Sequence, residues 1–281
     1  MKDPFGQFQW LESRLEHYRR SGTKAFITGH IPPIIDSYSG KEQWHVKYIE
    51  RYQSLVRKYR DVVACQLFGH VHSVEFRIPN SPGSIPPVFT VGSISPLFGN
   101  NPTFSVWKYD AENHTLVDWL IYGTNITEVR DWVGGKNANI SYCVGTTMGT
   151  FIFNKGVRWV SDVMSCCNGV RLLQVPVLST KVLRDLSNKM SQNDSLLQEY
   201  YRRMKGNSPM QKTCRDRRCK ARILCTQRWF SSPLEYASCV AKHGSRQWLS
   251  NSFKIGIGVI IVYSAIHMVY MVKRRQYYVE F

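Results

Sequence analysis

Acidic residues are in short supply. The 281 residues include 20 Asp and Glu against 37 Lys and Arg, a formal net charge of +17. That balance excludes an acidic solvating chain and raises the question of nucleic-acid binding. The densest basic stretch, residues 202–228, holds ten Lys and Arg with Asp216 as its one acid. No aromatic side chains alternate with those cations to stack on bases, so nucleic acid is not the expected partner. Cysteine is sparse as well. Eight residues are too few for a small disulfide-dense scaffold, although the even number permits pairing. Gly-X-Y periods and long heptad arrays are missing, which excludes collagen and extended coiled coil. What is present is a hydrophobic fraction of 43% and an aromatic fraction of 13%, too much for a mainly disordered chain. At about 150 residues per domain the length suggests one to two domains with a real core.

Charge is absent altogether from Ile255 to Val272. Eighteen residues at about 1.5 Å each reach roughly 27 Å, near the hydrocarbon thickness of a bilayer. Lys254 precedes the run and Lys273-Arg274-Arg275 follows it, so the larger cationic cluster places the C-terminal side in the cytosol. The expectation is a single-pass type I membrane protein with a transmembrane helix over 255–272, a cytosolic tail over 273–281 and a lumenal or extracellular bulk. Asn-X-Ser/Thr acceptor sites at Asn113, Asn125, Asn139 and Asn193 all fall on the lumenal side. The tail ends in Tyr278-Val279-Glu280-Phe281, a pattern similar to endosomal and lysosomal sorting signals. The opening residues are polar and amphipathic rather than signal-like, and a lumenal glycoprotein needs a route across the membrane. The expectation is therefore that the true N-terminus is missing.

Residues 4–20 read as a helix, with Asp3 as cap, Phe8, Leu11, Leu15 and Tyr18 at helical spacing, and Gly22 as stop. A short strand over 24–28 runs into Gly29-His30-Ile31-Pro32-Pro33. A second helix is predicted over 41–59, with Trp44, Tyr48, Leu55 and Tyr59 on one face. A buried-type strand over 62–67 runs into Gly69-His70-Val71-His72, and further strands follow at 88–91, 104–109 and 115–122. Alternating strand and helix passing into antiparallel strands argue for a layered α/β sandwich. Residues 181–205 look helical, and a Cys-bearing basic segment over 212–242 follows.

Three His residues thus leave two strand ends, where α/β folds hold functional groups on a rigid sheet. In a strand-like stretch His70 and His72 would point to opposite sides, each available to a different ion of a two-metal centre. The neighbouring glycines would leave room for a ligand to approach. His17, His45, His114, His243 and His267 lack such context and are assigned no site role. Cys166-Cys167 is not a metal-knuckle spacing.

Gly29-His30-Ile-Pro-Pro followed by Phe68-Gly69-His70-Val-His72 resembles the last two metal-binding motifs of the calcineurin-like metallophosphoesterases. Within that superfamily the chain is most similar to acid sphingomyelinase and the acid sphingomyelinase-like phosphodiesterases. The likeness extends through residues 3–11, Gly92–Pro96, Asn100–Val106 and Tyr201–Met204 to the spacing of Cys214, Cys219, Cys225 and Cys239. It implies a zinc-dependent phosphodiesterase, a hydrolase using a hydroxide bridging two zinc ions, with His30 and His70 on one ion and His72 on the other. The substrate would be a sphingomyelin-like lipid or a nucleotide. Asn100 and Asn101 would lie on a loop lining the substrate cleft, and disulfides would join Cys214 to Cys219 and Cys225 to Cys239. Pairing of Cys65, Cys143, Cys166 and Cys167 stays open.

The family's other metal motifs are missing: an Asp-x-His, a Gly-Asp segment with a bridging Asp, and a Gly-Asn-His that also supplies the leaving-group acid. No catalytic acid is therefore assigned. Three imidazoles without a bridging carboxylate do not assemble a stable two-metal centre. The resemblance implies the C-terminal half of a four-layer α/β/β/α sandwich over 1–123, a helical disulfide-containing region over 124–250, and the membrane span. Such a fragment is expected to be inactive alone. An endopolyphosphatase of the same superfamily and a non-catalytic lumenal membrane glycoprotein are the alternatives.

Overall fold

The computed structural model describes residues 3, 5–80, 85–123, 146–147 and 177–244. Helix α1 spans Gln7–Arg20. It starts later than predicted, with Gly6 rather than Asp3 as the N-cap residue; Asp3 still serves the helix end from outside, its carboxylate accepting from the backbone N–H groups of Gln7, Phe8 and Gln9, donors that have no partner within the helix. Gly22, at φ +68°, lets the chain turn out of α1 into β1, Ala25–Gly29.

Helix α2 is Val46–Lys58, shorter than predicted. The His45 imidazole accepts from Lys47 N at its start, and residues 41–43 pair back onto 34–36 through Asp36 N to Lys41 O and Gln43 N to Ile34 O. That local pairing withdraws Trp44 from the helix. Strand β2, Val63–Phe68, follows, and then β3, Glu75–Pro79, which the sequence did not announce. Its Glu75 and Arg77 look like a polar face, yet every residue of β3 is buried. Strands β4 (Val88–Thr90), β5 (Thr103–Tyr109), β6 (Leu116–Gly123) and β7 (Thr146–Thr147) come next.

The predicted helix over 181–205 is two helices, α3 (Thr180–Gln192) and α4 (Asp194–Met204), divided at Asn193. Helix α5 (Arg217–Thr226), strand β8 (Arg228–Trp229) and a helical stretch over 233–244 complete the described chain.

Two sheets result. The first has the order β1-β2-β4-β3-β8, with β1, β2 and β4 parallel and β3 antiparallel to β4. The second is the antiparallel β5-β6-β7. Neighbouring residues of β4 show how the layers stack. Val88 joins Leu15, Tyr52, Leu55 and Val56 of α1 and α2 on one face of the first sheet. Phe89 packs on Trp107 and Trp119 of the second sheet on the other, at ring separations of 4.9 and 5.2 Å. Helices α3 and α4 cover the β3 end of that same face through Leu183, Leu186, Met190 and Tyr200. The described residues form a mixed α/β fold stacked as helices, sheet, sheet.

The expected disulfides are both present, Cys214–Cys219 and Cys225–Cys239, and Cys65 is buried and, among the described residues, a free thiol. The membrane expectation is corrected. No helix among the described residues is long and apolar enough to cross a membrane. The longest named helix, α1, has 14 residues and so reaches only about 21 Å, against a bilayer core of about 30 Å. The stretch 255–272 itself lies outside the described residues, as do Asn125, Asn139, Cys143, Cys166, Cys167 and the tail over 273–281. The fold is therefore stated without a membrane span, and the single-pass type I placement is withdrawn with it.

Candidate functional site

Parallel pairing of β1 with β2 in the register Gly29–Phe68 brings the two Gly-His turns to the same sheet edge. Gly69 N then donates to His30 O at 2.9 Å, tying one turn to the other. The His30 and His70 rings meet edge to face with centroids 5.2 Å apart. Both are exposed at the mouth of the site. Gly29 turns out to make room for protein rather than ligand: a Cβ there would sit 2.8 Å from the Phe68 ring.

The alternation expected for His70 and His72 does not hold, because residues 70–73 bend away from strand geometry. His70 has φ +68° and His72 φ +51°, left-handed conformations that cost a non-glycine residue on the order of 1 kcal/mol or more. Such strain persists where surrounding structure enforces it, and the enforcement is visible. The His72 carbonyl accepts from Asn100 Nδ2 at 2.7 Å, and Val71 N donates to Gly69 O. His72 packs on Phe98, itself at φ +62°, with ring centroids 5.5 Å apart. Its Nδ1 is buried with no hydrogen-bond partner among the described residues, an acceptor or donor left free for a ligand.

Asn100 and Asn101 diverge. Asn100 is buried, accepts from Gln211 Nε2 at 3.1 Å and lines a cavity shared with His70. Asn101 is turned inward: its Nδ2 donates to Gly206 O, and it does not line that cavity. Of the glycan acceptor positions in the described residues, Asn113 is exposed in the turn before β6, and Asn193 caps α4 by accepting from Leu196 N.

As metal donors, the three imidazoles divide into an adjacent pair and a third ring held by Phe98. Among the described residues they do not bring three ligand atoms within 4.8 Å of one another. The one trio that does is Cys225, Cys239 and His243, whose two sulfurs are already joined to each other. The donor set on the Gly-His turns therefore suits more than one ion, or one ion with ligands from elsewhere.

One residue of this site had no sequence signal. Lys205, just past α4, lines the same cavity as His70 and donates to Ser73 Oγ at 2.8 Å. Burial lowers its pKa, against the opposing pull of Glu75 and Asp36. A lone Lys at the end of an amphipathic helix reads as a solvated charge, and only the packing of α4 on β3 carries it inward.

No family model matches the chain. It is similar to sphingomyelinase phosphodiesterase D of Dictyostelium discoideum, 30% identical over 161 residues, 51% of this chain and 37% of the relative. It is also similar to human acid sphingomyelinase-like phosphodiesterase 3b, 33% identical over 140 residues (46% and 31%), and to human cyclic GMP-AMP phosphodiesterase SMPDL3A, 31% identical over 138 residues (45% and 30%). The chain spans about a third of the length of these curated relatives. All three are named as phosphodiesterases, hydrolases that cleave phosphodiesters, and the likeness supports the acid sphingomyelinase-like branch.

Proposed function

We propose that this chain carries part of the active site of a metal-dependent phosphodiesterase of the acid sphingomyelinase-like type, acting on a sphingomyelin-like lipid or a nucleotide. The observation that carries the reading is the meeting of His30 and His70 at the ends of two hydrogen-bonded parallel strands, with His72 beside them on a strained turn. His30 and His70 would hold one zinc ion and His72 a second, each through a neutral imidazole nitrogen. Zinc at such a site supplies a Lewis acid and a bound water of lowered pKa. The residues of this chain do the rest. Hydrogen bonds from Gly69 N to the His30 carbonyl and from the Asn100 side-chain amide to the His72 carbonyl fix the backbone from which the rings project before substrate arrives. Asn100, buried and hydrogen-bonded on both sides of its amide, forms a rigid wall of the cavity beside His70.

The test combines metal analysis with turnover of bis(p-nitrophenyl) phosphate in a protein that also carries the family's Asp-x-His, Gly-Asp and Gly-Asn-His motifs. His30→Ala, His70→Ala and His72→Ala should each lower bound zinc, and turnover should fall at least about 10- to 100-fold, the scale seen for disturbed metal shells. Unfolding temperatures near that of the parent would show that the fold survives. Turnover that persists in all three variants overturns the proposal.

A further inference from the structure

The cavity beside His70 has a chemistry of its own. Its volume is about 160 Å³, well below the roughly 300 Å³ at which small-molecule pockets begin, so it holds one group of a substrate rather than the whole. Asp36, Ser73, Asn100 and Lys205 offer it polar atoms, and Tyr38 and Phe98 form its apolar rim.

The wall of the cavity carries one ammonium, Lys205, and one carboxylate, Asp36, while Glu75 and Arg222 act on Lys205 from the elements packed there and Arg77 is paired with Glu75. The two signs differ in how far their hydrogen-bonding capacity is already used. Both carboxylates are already engaged. Asp36 accepts from Tyr38 N, Ser39 N and Ser39 Oγ within its own loop. Glu75 accepts from Ser37 Oγ and pairs with Arg77, both partners of that pair being fully buried. Arg222 donates to the carbonyls of Ser37 and Tyr38. Among the described residues, the Lys205 ammonium has one hydrogen bond, to a neutral hydroxyl, and no ion pair. An ammonium with donors to spare, half-buried on a cavity wall, attracts an anionic oxygen and repels a quaternary ammonium.

Resting on the phosphodiesterase reading of the same site, we propose that Lys205 makes this cavity an anion subsite. It receives a negatively charged phosphate group of the substrate and disfavours a choline headgroup. The charge reaches the site from the region following α4, so substrate choice is set by residues remote in sequence from the His motifs. Lys205 is a specificity residue in this proposal, with no bond made or broken at its nitrogen.

The experiment measures equilibrium binding of two probes, inorganic pyrophosphate and choline chloride, by titration calorimetry. Lys205→Met keeps the aliphatic stem and removes the charge, and should weaken pyrophosphate at least about tenfold, the scale of one charge-assisted hydrogen bond. Lys205→Arg should restore most of that affinity. Choline should bind no more weakly to Lys205→Met than to the parent. Equal pyrophosphate affinity in parent and Lys205→Met overturns the proposal, as does a parallel loss for both probes. If Lys205→Met unfolds at lower temperature, Lys205→Gln and Lys205→Arg carry the comparison. Because binding is read without turnover, a protein that binds pyrophosphate through Lys205 but cleaves no diester keeps the subsite and refutes only the catalytic reading.

Discussion

Cys65 is a thiol with nowhere to send a charge. It is 1% exposed within β2, and burial pushes its pKa from 9.0 up to about 12. The folded state therefore keeps its proton where the unfolded chain would lose it. Stability from this group is complete below pH 9 and declines as pH rises from about 9 toward 12, since there the unfolded state binds fewer protons. Cys65→Ala should flatten that alkaline decline in a pH series of urea unfolding curves. Native protein at pH 8 should leave Cys65 unlabelled by iodoacetamide until denaturant is added. At this scale the imidazoles at 30, 70 and 72 were legible, because glycine and histidine after an apolar strand form a local pattern. So was the pairing of Cys214 with Cys219 and of Cys225 with Cys239, through resemblance. Lys205 was not legible, because its role depends on Ser73 and Asn100, which lie more than a hundred residues away along the chain.

At the scale of elements, Asn193 decides where one helix becomes two. It ends α3 and starts α4, its side chain accepting from Leu196 N. Asn193→Ala should cost about 1 kcal/mol in urea unfolding, whereas Asn193→Asp keeps the cap and should be close to neutral. The unbroken apolar spacing from Leu183 to Tyr201 concealed this break, because both helices bury a stripe against the same β3 face. Strand β3 escaped notice for the opposite reason. Its period-two pattern places Phe76 and Ile78 in the core and Glu75 and Arg77 opposite, which suggests a water-facing side. That side is instead closed, with the Glu75–Arg77 ion pair sealed beneath Ser37. The helix boundary near 45 moved because backbone pairing of 41–43 with 34–36 outcompeted helix extension.

At the scale of the whole molecule, the two sheets are held face to face by aromatic rings. Trp107 and Trp119, register partners across β5 and β6, stack at 4.5 Å, and Phe89 of the first sheet closes on both. Trp119→Ala should cost about 3–5 kcal/mol by leaving a cavity between the sheets, seen as a lowered unfolding midpoint. Trp119→Phe should cost far less, since Trp119 Nε1 has no hydrogen bond to lose among the described residues. Local sequence by itself determined the type of most elements, β3 excepted, together with the Gly-His turns and the mixed α/β character though not the expected membrane helix, because hydrophobic period and turn chemistry act within a few residues. Tertiary structure alone decided which turns meet, through the register of β1 on β2. It also decided that His70 and His72 sit in a bend rather than a strand, and that a lysine from beyond α4 faces the site. Those outcomes depend on contacts between segments far apart in the chain, where no local pattern carries the information.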